Sequence, residues 1–213
     1  KQTVGASGAA SRVVAQAWVE RVEDAMIRPL LPYQVTGAAW MSQRLAEGKG
    51  SILADDPGLG KSAQTIAAIT ATGSFPCVVV CPASVKVNWA REFQYSMRKP
   101  RVKVVAGRSG LLSGSDVYIL NYNLLKTREQ QLQELKAKAI VFDEAHELKE
   151  PKPTHSHRAA IATRLAAWIK KPILLTGSPL MNNPSELWRL LHMADSQEWQ
   201  FFDDYEMRYL QAP

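Results

Sequence analysis

Twelve residues constrain this chain more than any others: Ser51-Ile52-Leu53-Ala54-Asp55-Asp56-Pro57-Gly58-Leu59-Gly60-Lys61-Ser62. Their apolar beginning reads as the end of a buried strand. A Gly- and Pro-rich turn follows, and Ala63-Gln64-Thr65-Ile66-Ala67-Ala68-Ile69 then reads as a helix. A strand that turns through glycines into a helix N-terminus is a device for holding phosphate, because unpaired N–H groups and the helix dipole converge there. Gly58 and Gly60 let backbone N–H groups turn inward where a Cβ would obstruct them. Lys61 is then placed to reach the β- and γ-phosphates of a nucleotide, and the Ser62 hydroxyl to ligate Mg²⁺. The general pattern has glycine five residues before Gly60, where this chain has Asp55. Taken alone, Gly60-Lys61-Ser62 also fits a helix start with an incidental lysine.

The rest of the chain supplies the sheet such a loop needs. Cys77-Val78-Val79-Val80-Cys81, bounded by Pro76 and Pro82, is apolar without alternation, as expected of a parallel strand covered on both faces. Val102–Val105, Val117–Leu120, Ala139–Phe142 and Pro172–Leu175 are further short strands. Between them fall helical patterns, including Val35 to about Glu47 with Trp40 and Met41 turned inward, and a charged, solvent-facing helix from Leu124 to Lys138. Gly48-Lys49-Gly50 closes the first of these. Strands alternating with helices predict an α/β doubly wound domain, a parallel sheet flanked by helices on both faces. Lys1–Ser11 read as a frayed terminus or linker, and Arg12–Met26 as a short amphipathic helix on Val14, Trp18, Val22 and Ala25. That divides the chain into an extension, 1–29, and one domain, 30–213.

Composition narrows the class. At 213 residues and 46% hydrophobic the chain can bury a full core. No apolar run reaches the roughly 18 residues a membrane span needs. Cys77 and Cys81 share one apolar strand and read as reduced, buried thiols of an intracellular protein. Between Ser84 and Arg108 stand seven cations (Lys86, Arg91, Arg98, Lys99, Arg101, Lys103 and Arg108) against Glu92 alone, which equals the whole chain's surplus of +6. Such a basic field suits a polyanion such as nucleic acid, and equally fits a solvated loop and helix face.

Two further features follow strands directly, where α/β sheets place their ligands. Asp143-Glu144-Ala145-His146 can hold Mg²⁺ through Asp143 while Glu144 orients an attacking water. Thr176-Gly177-Ser178-Pro179 offers the hydroxyls of Thr176 and Ser178, able to sense the γ-phosphate and relay its state. Separately, an acidic pair could merely cap the next helix and the second stretch could be a plain turn. In the order glycine loop, acidic pair, hydroxyl turn, each behind its own apolar strand, they form one nucleotide site. His155 and His157, with no acidic or cysteine ligand in sequence reach, read as a loop pair without metal.

These motifs resemble the first RecA-like lobe of SNF2-type ATPases, within helicase superfamily 2. Leu31-Pro32-Tyr33-Gln34 with Trp40 looks like the family's adenine-reading motif. Asp55 through Thr65 resembles motif I, which normally carries Asp at position 55; Asp56 stands for the usual Glu, Pro57 for Met and Ser62 for Thr. Cys81-Pro82-Ala83-Ser84 with Asn88-Trp89 is similar to motif Ia, and Asn121-Tyr122-Asn123-Leu124-Leu125 to motif Ib. Asp143-Glu144-Ala145-His146 with Leu148-Lys149 looks like motif II. Leu175 through Leu180 with Asn182, Asn183, Glu186 and Leu187 looks like motif III, with Ser178 where Thr is usual.

The resemblance implies a RecA-like P-loop NTPase lobe that binds ATP and Mg²⁺. Gln34 would read adenine; Asp55, Gly58, Leu59, Gly60, Lys61 and Ser62 would cradle the phosphates. Ser62 and Asp143 would hold the metal, with Lys61, Asp143 and Glu144 as the catalytic set. Ser84, Lys86, Asn88 and Tyr122 would track double-stranded DNA, and Thr176 and Ser178 would couple the two functions. The family's arginine finger lies on a second RecA-like lobe, for which the residues after Leu191 are too few, so this lobe alone is expected to turn ATP over poorly. The setting would be a nucleus or a bacterial or phage-infected cytoplasm. Two alternatives stand beside this: a DEAH-type RNA helicase lobe, and a nucleotide-binding docking module without turnover. The other tryptophans, Trp18, Trp40, Trp168, Trp188 and Trp199, read as core or helix packing.

Overall fold

A computed structural model describes residues 5–107, 110, 112–148, 157–178 and 185–210, with side chains of 5–14, 157 and 186 outside the description. Six short strands are Ser51–Leu53 (β1), Cys77–Cys81 (β2), Val102–Val104 (β3), Val117–Asn121 (β4), Ala139–Asp143 (β5) and Pro172–Leu175 (β6). They form one sheet in the order β1-β6-β5-β2-β4-β3, and every pairing is parallel. All six C-terminal ends therefore emerge along one edge.

The unbroken apolar runs are buried on both sides because helices cover both faces. Cys77, Val79 and Cys81 of β2 face a cluster with Met41, Leu45, Ile66, Ile69, Trp89 and Phe93. These come from Pro32–Ala46 (α2), Lys61–Ala71 (α3) and Lys86–Ser96 (α4). Val78 and Val80 face the opposite cluster, with Leu125, Leu132, Ala162, Leu165 and Leu190. That layer is Leu125–Glu134 (α5), His157–Ile169 (α6) and Ser185–Ala194 (α7). The two-residue period of each strand sends successive side chains to opposite layers.

Several expectations need correction. Helix α1 runs Gly5–Ala25 rather than starting at Arg12; the alanines at 6, 9 and 10 favour helix where a linker was expected. It lies on α2 and α3, with Val22 fully buried against Val35, Ala38 and Ala67. Helix α5 ends at Glu134 and is not wholly solvent-facing, since Leu125, Arg128 and Leu132 are buried. Met41 is buried as expected, but Trp40, about 100° further round the helix, is 45% exposed. Trp168 is likewise on the surface.

The C-terminal part of the chain packs by aromatic contacts. Trp188 of α7 stacks on His192 at 5.0 Å and meets the edge of Phe202 at 5.4 Å. Phe202 opens the last helix, Phe202–Tyr209 (α8), where Tyr205 and Tyr209 lie 6.0 and 5.9 Å from Trp199. At the opposite sheet edge from the strand ends, Asp195 pairs with Arg44 and Lys49 at 3.4 and 3.5 Å.

Candidate active site

The strand order arrays the sequence motifs along the C-terminal edge. The glycine loop leaves β1 at one end, the Thr176 turn leaves β6 next to it, and the acidic pair leaves β5. The stretch beginning Pro82 leaves β2 and that beginning Tyr122 leaves β4. At about 4.8 Å per strand, the phosphate device and the predicted strand-tracking residues sit at two ends of one row. Asp143 stands in its middle.

Gly58 and Gly60 have φ of +88° and +75°, left-handed values that glycine adopts without penalty. Gly60 is the residue before α3, so the turn aims the helix start into the loop. Lys61 Nζ donates to the carbonyls of Asp55 at 2.7 Å and Asp56 at 3.2 Å. Its positive charge also favours the ionised form of the Asp143 carboxylate. Ser62 follows in the first turn of α3, half-buried.

Two glutamines brace this loop from behind. Gln34 is buried; its Nε2 donates to the Leu59 carbonyl at 3.2 Å and its Oε1 accepts from the Leu31 N–H at 3.0 Å. Both ends of the amide are thus engaged within the protein. Gln64, almost fully buried, donates to Asp55 Oδ2 at 2.8 Å and was missed as a site residue. The signal was present in retrospect: a buried glutamine in an alanine-rich helix needs partners, and only the loop supplies them. Asp55, where other phosphate loops carry glycine, is thus the acceptor that fixes Gln64. Pro57 touches the neighbouring turn, its Cγ and Cδ 3.1 and 3.2 Å from where a Cβ on Gly177 would sit.

Asp143 is held by three donors. Trp89 Nε1 of α4 donates to its Oδ2 at 2.8 Å, and the Glu144 N–H donates to its Oδ1 at 3.0 Å. The Tyr122 hydroxyl donates to its carbonyl at 2.7 Å. Burial raises the carboxyl's pKa and the nearby Glu144 raises it further, against the lowering by Trp89, the Glu144 N–H and Lys61; the net shift is upward. The same crowding pushes the Cys81 thiol up to about 12, by burial first and by Asp143 second. Burial also lifts the Tyr122 phenol well above its ordinary value, with Asp143 adding to it. Asp143 and the Ser62 hydroxyl are the groups that would hold a divalent cation, whose charge would favour the ionised carboxylate against the burial that disfavours it.

Glu144 has φ of +53°, a left-handed value rare for a residue with a side chain. That turn carries its carboxylate out of the sheet, half-exposed, with Oε2 3.1 Å from His146 Nδ1. The buried Thr176 accepts the Ser178 N–H at 3.1 Å on its hydroxyl, and its own N–H donates to Leu53 of β1. Thr176 is fully buried, so its hydroxyl shapes the turn and meets no solvent; Ser178 is exposed.

The predicted strand-tracking residues divide. Ser84 and Asn88 are exposed, and Lys86 is half-buried with Nζ 3.1 Å from the Val105 carbonyl. Tyr122 is 3% exposed and faces Asp143, which corrects its placement on the nucleic-acid surface. Its apolar ring fills the core beneath the strand ends, and the exposed residue of that turn is Asn123. The basic segment is also not one patch. Helix α4 spans the sheet, about 16 Å for its eleven residues, so Lys86 lies at the strand C-termini and Arg98, Lys99 and Arg101 at the other edge. There Arg101 pairs with Asp116 at 2.7 Å. Arg108, Lys149, His155, Pro179, Leu180, Asn182 and Asn183 lie outside the described residues, as does the side chain of Glu186.

A six-stranded parallel sheet with a glycine loop, an acidic pair and a hydroxyl turn along its C-terminal edge defines a P-loop ATPase lobe of the RecA-like class. The SNF2-related domain family matches residues 33–212, and the chain belongs to that family, as its N-terminal ATPase lobe. Membership implies ATP binding. A Caenorhabditis elegans homologue of SWI/SNF-related matrix-associated actin-dependent regulator of chromatin subfamily A-like protein 1 is 31% identical over 194 residues, 88% of this chain and 27% of that protein. The human subfamily A member 1 is 31% identical over 193 residues, 84% of this chain and 18% of that protein. The Sulfolobus solfataricus SWI2/SNF2 ATPase core in complex with dsDNA superposes with a TM-score of 0.74 at 30% identity, covering 87% of this chain and 40% of that one. The chain therefore spans well under half the length of these relatives. Among the described residues no helix is long and apolar enough to cross a membrane.

Proposed function

We propose that the chain is the ATP-binding lobe of a double-stranded DNA translocase that couples ATP hydrolysis to movement along the duplex. The observation that carries the reading is the row of motifs on one sheet edge, with Asp143 hydrogen-bonded to the helix that bears Asn88 and electrostatically coupled to Lys61. The resemblance to the Sulfolobus solfataricus SWI2/SNF2 ATPase core in complex with dsDNA supports the choice of duplex over RNA.

In this reading the loop from Asp55 to Gly60 wraps the phosphates, and Lys61 exchanges the carbonyls of Asp55 and Asp56 for phosphate oxygens. Ser62 and Asp143 would hold Mg²⁺, which when bound neutralises charge on the β- and γ-phosphates. Glu144, turned out of the sheet by its left-handed backbone, orients the water that attacks the γ-phosphorus. Gln34 presents its amide to adenine only by releasing Leu59 or Leu31, so base recognition and loop opening are one event. Ser84, Lys86 and Asn88 contact the phosphate backbone, which gives little base specificity and steep salt dependence. A second lobe completes the catalytic site, and the lobe alone turns over slowly.

The test is a duplex-stimulated ATPase assay on the full-length protein. Duplex DNA is expected to stimulate more than RNA does, Lys61→Ala to abolish turnover, and Lys86→Ala to weaken duplex binding and flatten its salt dependence. Stimulation by RNA alone, or salt-independent duplex affinity, overturns the reading.

A further inference from the structure

We propose that Trp89 is a positioning residue that joins the Asp143 carboxylate to the duplex-facing start of α4, making metal–nucleotide binding and duplex binding one linked equilibrium. This rests on the proposed function and adds to it a physical connection between the two ends of the row.

The connection follows from where Trp89 sits. Exposed Asn88 and the half-buried Lys86 occupy the first turn of α4. Trp89, one residue on, points the other way and is 2% exposed. Its indole packs between the sheet and Phe93, the ring centroids 6.1 Å apart. A rigid bicyclic ring enclosed this way has no alternative rotamer to retreat into. Its only polar atom is the N–H, a donor without an acceptor lone pair, and it is spent on Asp143 Oδ2 at 2.8 Å.

The other carboxylate oxygen takes the Glu144 N–H at 3.0 Å, so rotation of the carboxylate is set from both sides. Tyr122, from the turn beside exposed Asn123, fixes the carbonyl of the same residue. Strand order explains how the indole reaches this residue. Strand β5 lies between β6, on the nucleotide side, and β2, which leads into α4. A displacement of the first turn of α4 must therefore carry the indole with it and reorient Asp143, the residue assigned to the metal. By reciprocity, a metal–nucleotide complex that favours one carboxylate orientation favours one position of α4.

The test measures the affinity of the full-length protein for a Mg²⁺ complex of a non-hydrolysable ATP analogue, with and without duplex DNA of mixed sequence. In the wild type, duplex is expected to tighten the analogue by about 5-fold or more. Trp89→Phe keeps an aromatic ring and deletes the N–H; it is expected to bind duplex as before without nucleotide while the tightening collapses toward unity. An undiminished tightening in Trp89→Phe overturns the proposal, as does a wild type that binds both ligands without linkage. Should Trp89→Phe not fold, the Trp89 indole N–H resonance of the wild type serves instead. It should shift on adding either ligand, and a resonance unmoved by both refutes the link. A wild type that binds neither ligand, or a Lys61→Ala variant that holds the analogue undiminished, defeats the proposed function itself.

Discussion

Gly60 and Gln34 share one volume: a Cβ on Gly60 would collide with the side-chain amide nitrogen of Gln34. That nitrogen holds the Leu59 carbonyl, so the glycine, the glutamine and the loop between them form one device. Gly60 also has φ of +75°. An alanine there suffers the left-handed penalty of about 1–2 kcal/mol and expels Gln34 from its bonds. Gly60→Ala is expected to lose about 2 kcal/mol in urea denaturation and to abolish nucleotide binding in a titration. Wild-type affinity in that variant would show the loop to be more tolerant than its geometry indicates.

The Thr176 turn rests on Pro57. A Cβ at Gly177 falls 3.1 and 3.2 Å from the proline ring, and a ring cannot swing aside as a flexible chain can. Gly177→Ala is therefore expected to weaken nucleotide binding and to destabilise the fold by about 1 kcal/mol. Pro57→Ala should relieve the contact, so the double variant should bind better than Gly177→Ala alone. Strict additivity of the two changes in a double-mutant cycle would mean that the contact transmits nothing.

Asp195 ties the ends of α2 and α7 and carries an acid-sensitive share of stability. Burial alone would raise its carboxyl's pKa, but the Glu198 N–H and the charges of Lys49 and Arg44 outweigh it, and the net shift is downward. With the folded value below the unfolded one of about 3.9, the unfolded chain binds more protons in between. The contribution is present above about pH 4 and is lost as pH falls through the folded value. Asp195→Asn should lower the unfolding free energy measured in urea by about 1 kcal/mol at pH 7, and by much less at pH 3. An equal deficit at both pH values would contradict the ionic origin.

Arg128 lies buried in α5, with Nη1 2.6 Å from both the Gly110 carbonyl and Gln131 Oε1 and Nη2 3.2 Å from the Gly107 carbonyl. A planar fork reaches all three at once; an ammonium cannot. Arg128→Lys is expected to destabilise by about 2 kcal/mol and to speed amide exchange at Gly107 and Gly110 together. Exchange unchanged at both positions would remove the clamp from the account.

The parallel sheet, the phosphate loop, the acidic pair and the family were legible from residue order, because each depends on local chemistry. Glycine permits a left-handed turn wherever the chain goes, and an unbroken apolar strand must be covered on both faces. Charge and exposure were less legible. Lys86 and the trio Arg98, Lys99 and Arg101 are close in sequence, yet a helix that crosses the sheet separates them to opposite edges. Tyr122 and Trp40 read as a surface and a core residue, and packing reversed them, because the helical period cannot say which neighbours will arrive from distant segments.

The amino-acid sequence alone thus determined the fold class, the glycine loop and the identity of the acids. Only tertiary structure decided what those acids touch. Trp89 and Asp143 are fifty-four residues apart, and no spacing rule relates them. They meet because parallel pairing sets β2 beside β5, and α4, leaving the end of β2, folds its first turn back over the neighbouring strand.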